Sequence, residues 1–94
     1  MSDLPVGFTT VTVNGDLDAG NTEKVFTQLA DAISTGAHVT VDMSGVPFMD
    51  SAGISALVRA HNLAIARGQR LRVTGLQPRP KRILQFTGLL ETLT

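Results

Sequence analysis

The strongest constraint on the fold is a repeated switch between two hydrophobic periods along the chain. Phe8-Thr9-Thr10-Val11-Thr12-Val13 is rich in β-branched residues, alternates in part and stops at Asn14-Gly15, so it reads as a strand. Gly15-Asp16-Leu17-Asp18 then turns into a segment whose apolar residues, Val25, Phe26, Leu29, Ala32 and Ile33, stand at helical spacing. Asn21 or Thr22 can cap its start, and Gly36 suits its left-handed end. Residues 38–43 alternate again as a strand. A second helix is expected from Ala52 to about Arg67, with Ile54, Leu57, Val58, His61 and Ile65 as its stripe. Ala56, Ala60 and Ala64 would let it approach a sheet closely. Gly68 ends it, and residues 70–74 form the next alternating strand. Beyond a loop, Pro80 fits the first turn of a helix that has Ile83, Leu84 and Thr87 on one face. Leu89, Leu90 and Leu93 make a short apolar tail, expected to be helical and packed down. Strands that alternate with helices imply a mainly parallel sheet with crossover helices. The expectation is therefore one α/β domain over residues 1–94.

Size and composition narrow the function. The chain has 94 residues, 43% of them hydrophobic, enough for one modest core. No window approaches the roughly 20 apolar residues of a membrane span. The opening MSDLPVGF lacks the basic and apolar regions of a secretory signal, so a cytoplasmic location is expected. There is no cysteine, hence no disulfide, thiol nucleophile or thiolate metal site. Residues 1–50 carry seven acidic side chains against Lys24 alone, and residues 51–94 carry seven basic ones against Glu91 alone. The halves can fold together and offset each other, or they can form two faces, the acidic one meeting a basic partner. With no Trp or Tyr, four Phe and a pI near 6.7, the chain lacks the footprint of a nucleic-acid binder.

Catalysis and cofactor binding find little support. A strand, a sharp turn, Ser51 and a helix suggest a nucleophile elbow, but position 49 of the required G-x-S-x-G is Met. His38 and His61 are the available bases, and they fall at a strand start and on a helix stripe. Those histidines and the carboxylates have no metal-ligand spacing, and the glycines make no phosphate-cradling loop. Asp42 lies in a strand as a receiver-domain phosphoacceptor does, but no lysine ends a later strand.

Ser51 admits two readings. As an N-cap it would accept a hydrogen bond from the amide of Gly53 or Ile54, worth about 1 kcal/mol. As a modification site it would sit on a docking surface with Val46, Pro47, Phe48 and Met49 in front of it. Gly53 costs helix propensity in the first turn, which makes sense where something approaches the backbone closely. Phe48 is expected to pack beneath the helix, and Met49 to face outward beside Asp50 as a flexible apolar contact.

Residues 42–53, DMSGVPFMDSAG, resemble the signature of the STAS domain family, which includes anti-sigma factor antagonists and cytoplasmic parts of sulfate transporters. Gly15-Asp16-Leu17-Asp18 is similar to the family's early G-E-L-D turn, and Thr87-Gly88-Leu89 to its late T/S-G-L. The resemblance implies a STAS-type sandwich with a parallel or mixed sheet of about four strands and three to four helices. The stretch before Phe8 departs from that pattern, being too short for the full first strand of many members, so an abbreviated edge hairpin is expected. The resemblance also implies a non-enzymatic, cofactor-free bacterial partner switch. In that scheme Ser51 is phosphorylated by an anti-sigma factor with GHKL-type serine kinase activity. The unmodified form captures that factor and frees its sigma factor, and a serine phosphatase reverses the modification. The resemblance puts Asp18, Asp50 and Ser51 at the partner surface, and the reading of the residues adds Met49 and Gly53, with neither nucleic acid nor membrane expected as a partner. Family members without switching activity, namely stressosome scaffolds and accessory subunits of lipid-transport ABC systems, give the alternative.

Overall fold

The central strand organises the domain because every second side chain of it is sealed in. The structure, a computed structural model, describes residues 7–94. In β2 (His38–Gly45), Val39, Val41 and Met43 are fully buried, while Thr40 and Asp42 point to the other face. β1 (Phe8–Asn14) and β3 (Leu71–Thr74) flank it, both parallel, giving the order β1-β2-β3. The register places Val11, Val41 and Val73 side by side, so their row belongs to one sheet face. That face carries the core. The opposite face is polar, with Thr10, Thr12, Arg72 and Thr74 exposed.

Four helices complete the fold: α1 (Thr22–Ser34), α2 (Ser51–Ala66), α3 (Pro78–Phe86) and the short α4 (Leu90–Leu93). The expected α/β architecture is present, with three parallel strands among the described residues where about four were expected. The abbreviated edge hairpin would lie before Phe8, outside the described residues. In α1 the stripe Val25, Leu29, Ala32 and Ile33 is buried as its spacing requires. Phe26 stays half-buried beneath the Arg59 guanidinium, 4.2 Å from the ring centre, and Arg59 also pairs with Glu23 at 2.9 Å. The chain leaves α1 through Gly36 at φ +88°, a conformation that favours glycine.

The packing stripe of α2 differs from the expected one. Gly53, Ala56, Leu57, Ala60 and Ala64 are buried, whereas Ile65 is exposed and Ile54, Val58 and His61 are half-buried. Ala56, Ala60 and Ala64 are buried as expected and let the α2 backbone come close to its neighbours, with Leu57 as the one large side chain of the stripe and the others flanking it. Gln69 adds a link that its position in the sequence does not announce. Its buried side-chain amide donates to the carbonyls of Ile33 at 2.8 Å and Ala37 at 2.6 Å, satisfying the end of α1. Pro78 opens α3 at its first position, and Pro80 and Leu84 anchor it. Thr87 lies past its end and is exposed, its hydroxyl donating to the carbonyls of Ile83 and Leu84. Leu93 seats α4 on the core, as the apolar tail predicted.

Candidate functional site

The sharp return after β2 brings two loops together at the carboxyl end of the sheet, the usual place for function in parallel α/β folds. The Leu17 amide donates to the Phe48 carbonyl at 2.9 Å, and the Asp50 amide donates to the Leu17 carbonyl at 3.2 Å. Leu17 and Met49 thereby form an isolated parallel bridge. Asp18 and Asp50, the next residue of each loop, leave that bridge as neighbours, both half-buried. The first loop is braced internally. Asn21 accepts from the Asp18 amide at 3.0 Å and donates to the Asp16 carbonyl at 2.7 Å, and Asp18 accepts from the Gly20 amide at 2.9 Å. Asn21 therefore stands at the cap position of α1 without capping it through its side chain.

The start of α2 corrects the capping reading of Ser51. Asp50 is the N-cap, and its carboxylate accepts from the amides of Ala52 at 2.9 Å and Gly53 at 3.2 Å. Ser51 is the first helical residue, exposed, its hydroxyl outside the cap. The cap reading is thus corrected by one residue. The Ile54 amide is also engaged, donating to the Asp50 carbonyl at 3.1 Å. The helix therefore presents Ser51 at its positive end with the amides of Ala52, Gly53 and Ile54 already satisfied.

Two further expectations fail. Met49 is 1% exposed and Phe48 is 37% exposed, so the outward and inward roles of this pair are exchanged. The Leu17–Met49 bridge is the cause, since it fixes which of two successive side chains turns inward. Gly53 is buried too, and its open space is filled from inside. A Cβ there would stand 2.6 Å from Met49 Cγ and 2.8 Å from the Leu17 carbonyl oxygen. Gly53 serves core packing beneath the loop; neither it nor Met49 offers a side chain to a partner. Asp18, Asp50 and Ser51 remain together at the surface. Leu17, fully buried between two aspartates, is the residue whose role sequence reasoning missed. An apolar residue isolated within an acidic turn was the available signal.

Neither histidine is near Ser51. His61 lies ten residues along the same helix, about 15 Å down its axis. His38 opens β2 at the end opposite the site, its Nδ1 accepting from the Arg70 amide at 2.9 Å, and its ring 5.1 Å from Phe8. What the site offers is a free hydroxyl beside carboxylates, on a rigid base. The profile of the STAS domain matches residues 3–94, nearly the whole sequence.

The chain belongs to the STAS domain family.

Its relatives include an anti-sigma factor antagonist and a sulfate transporter family protein. An anti-sigma F factor antagonist of Paenibacillus polymyxa is 26% identical over 89 residues, covering 93% of this chain and 76% of that protein. Among solved structures, the Bacillus cell fate determinant SpoIIAA in its phosphorylated form superposes with a TM-score of 0.71 at 22% identity, over 96% of this chain and 82% of that one. A sulfate transporter family protein from Wolinella succinogenes superposes with a TM-score of 0.76 at 24% identity, over 96% of this chain and 74% of that one. In this STAS domain the expected G-E-L-D-like turn and the signature loop prove to be the two halves of one hydrogen-bonded structure.

Proposed function

We propose that this STAS domain is an anti-sigma factor antagonist switched by phosphorylation of Ser51. The observation that carries the reading is the division of labour at the α2 start: Asp50 makes the cap and leaves the Ser51 hydroxyl exposed. A kinase can modify such a hydroxyl without removing a structural hydrogen bond. The likeness to the Paenibacillus polymyxa anti-sigma F factor antagonist supports the partner class. With Ser51 unmodified, the domain binds an anti-sigma factor that is also a GHKL-type serine kinase and releases its sigma factor. A serine phosphatase restores the binding form. The domain acts by surface alone, in the cytoplasm, with no catalysis, cofactor, membrane or nucleic acid.

The physics of the switch is charge at a fixed place. Phosphorylation adds about −1.5 to −2 charges. A dianion about 6 Å from a partner's acidic group is repelled by about 1.4 kcal/mol in water and about 5 kcal/mol at an effective dielectric near 20. Asp18 and Asp50 deepen the negative field around the new group, and the helix dipole moderates it within the domain. The fold therefore survives while binding weakens.

The test is a titration of wild type, Ser51→Ala and Ser51→Asp against the anti-sigma factor encoded in the same genome, with a radiolabelled-ATP assay of Ser51. Ser51→Ala should bind as wild type and Ser51→Asp at least tenfold more weakly. Equal affinity of the two variants would sink the switch. A second reading, a non-switching interaction module, is favoured by the likeness to the Wolinella succinogenes sulfate transporter family protein. Tight binding that ignores both Ser51 variants would support it.

A further inference from the structure

The exposed partner of the exchanged pair, Phe48, forms one wall of a groove that the acidic mouth does not use. The groove encloses about 250 Å³, and Arg79, Arg82, Ile83 and Phe86 line it from α3, with Met49 beside Phe48 on the loop side. The four α3 residues stand at i, i+3, i+4 and i+7, so they share one helix face. The opposite face holds Pro80 and Leu84 in the core. Phe86 is 84% exposed, the most exposed large apolar side chain among the described residues. We propose that this groove docks an acidic amphipathic helix of a partner protein, with an apolar side chain in the groove and carboxylates on Arg79 and Arg82.

Charge and shape select that occupant. Arg79, Lys81 and Arg82 crowd a nine-residue helix that has no acidic residue. Among the described residues the one salt bridge is Arg59–Glu23, so the arginines at the groove pair with none of the described carboxylates. Arg79 and Lys81 also lie in the first turn of α3, where the helix dipole disfavours cations. A cationic surface kept against local helix stability fits recognition of a partner's negative charge. A second copy joined symmetrically through this face would set arginine against arginine. A volume below the roughly 300 to 1,000 Å³ of small-molecule pockets suits a single anchoring side chain. The inference does not depend on Ser51 being phosphorylated, so the two can fail separately.

The test is an amide-resonance titration of isotope-labelled full-length protein with a synthetic amphipathic peptide of leucine and glutamate. A peptide with lysine at each glutamate serves as control, and vesicles of phosphatidylcholine with one-quarter phosphatidylglycerol as the membrane arm. The glutamate peptide should shift Phe48, Arg79, Arg82, Ile83 and Phe86 as one cluster, and the lysine peptide should not. Arg79→Glu and Phe86→Ser, both at exposed sites, should weaken binding at least tenfold while melting temperature holds or rises. No localised shift, equal response to both peptides, or unchanged affinity in both variants overturns the proposal. So does a response to vesicles alone, which would make this face a membrane contact.

Discussion

The starts of α2 and α3 flank the same loop, yet they are built in opposite ways. At α2 an aspartate caps two amides and two carboxylates crowd the positive end of the helix, so local stability and surface charge agree. At α3 no side chain caps the first turn, prolines set its entry, and cations occupy the end that the dipole disfavours. One mouth is stabilised by its charges and the other tolerates them. A helix start can therefore be read in two steps, first by what its own amides require and then by what remains unexplained. At α2 the remainder is Ser51; at α3 it is the arginine and phenylalanine face.

The loop between the two mouths should give the largest effect. Met49→Ala should destabilise the domain by about 2 to 5 kcal/mol, because a fully packed side chain is lost beside Leu17 and Gly53. In a domain of this size that is a drop in melting temperature of roughly 10 °C or more. Phe48→Ala, at a partly exposed position, should cost far less, and a larger loss there would reverse the assignment of the pair. Gly53→Ala should resemble Met49→Ala, since the added Cβ meets the Leu17 backbone and not merely a flexible side chain.

Next in size is the cap itself. Asp50→Ala should cost about 1 kcal/mol and lower the melting temperature by roughly 4 to 8 °C, whereas Ser51→Ala should leave it unchanged. Similar losses for both would return the capping role to Ser51. At the other mouth, Arg79→Glu should stabilise α3 by about 0.3 to 1 kcal/mol through the dipole. Thermal denaturation that moves down instead would mean that Arg79 has a structural contact.

The smallest effect concerns acid. Asp42 accepts from the Ser44 amide at 3.0 Å, and this bond, with the Ser44 hydroxyl, holds its carboxyl below the ordinary value. The folded state thus binds the proton less readily than the unfolded chain does. Its stabilising contribution is present above about pH 4 and is lost as pH falls through the lowered folded value. Melting curves of wild type and Asp42→Asn should therefore converge on acidification, and a gap that widens would give the shift the wrong sign.

The sequence by itself determined the order of strands and helices, the parallel sheet and the glycine at the end of α1. Each of these depends on period and local backbone preference, which neighbouring residues suffice to set. It also placed Asp50 and Ser51 at a helix mouth, and it carried the family resemblance. Only the tertiary structure decided between adjacent residues. Which of Phe48 and Met49 turns inward, and which of Asp50 and Ser51 caps the helix, depend on the hydrogen bonds of Leu17, more than 30 positions away. The buried stripe of α2 divides in the same way: Leu57 and the close-packing alanines were legible in the sequence, whereas the exposure of Ile65 and the burial of Gly53 depend on where α1, the sheet and the Leu17 loop lie. A one-residue shift in a loop hardly changes local preference but reverses which side chain meets solvent. Contacts from elsewhere in the chain must therefore fix it.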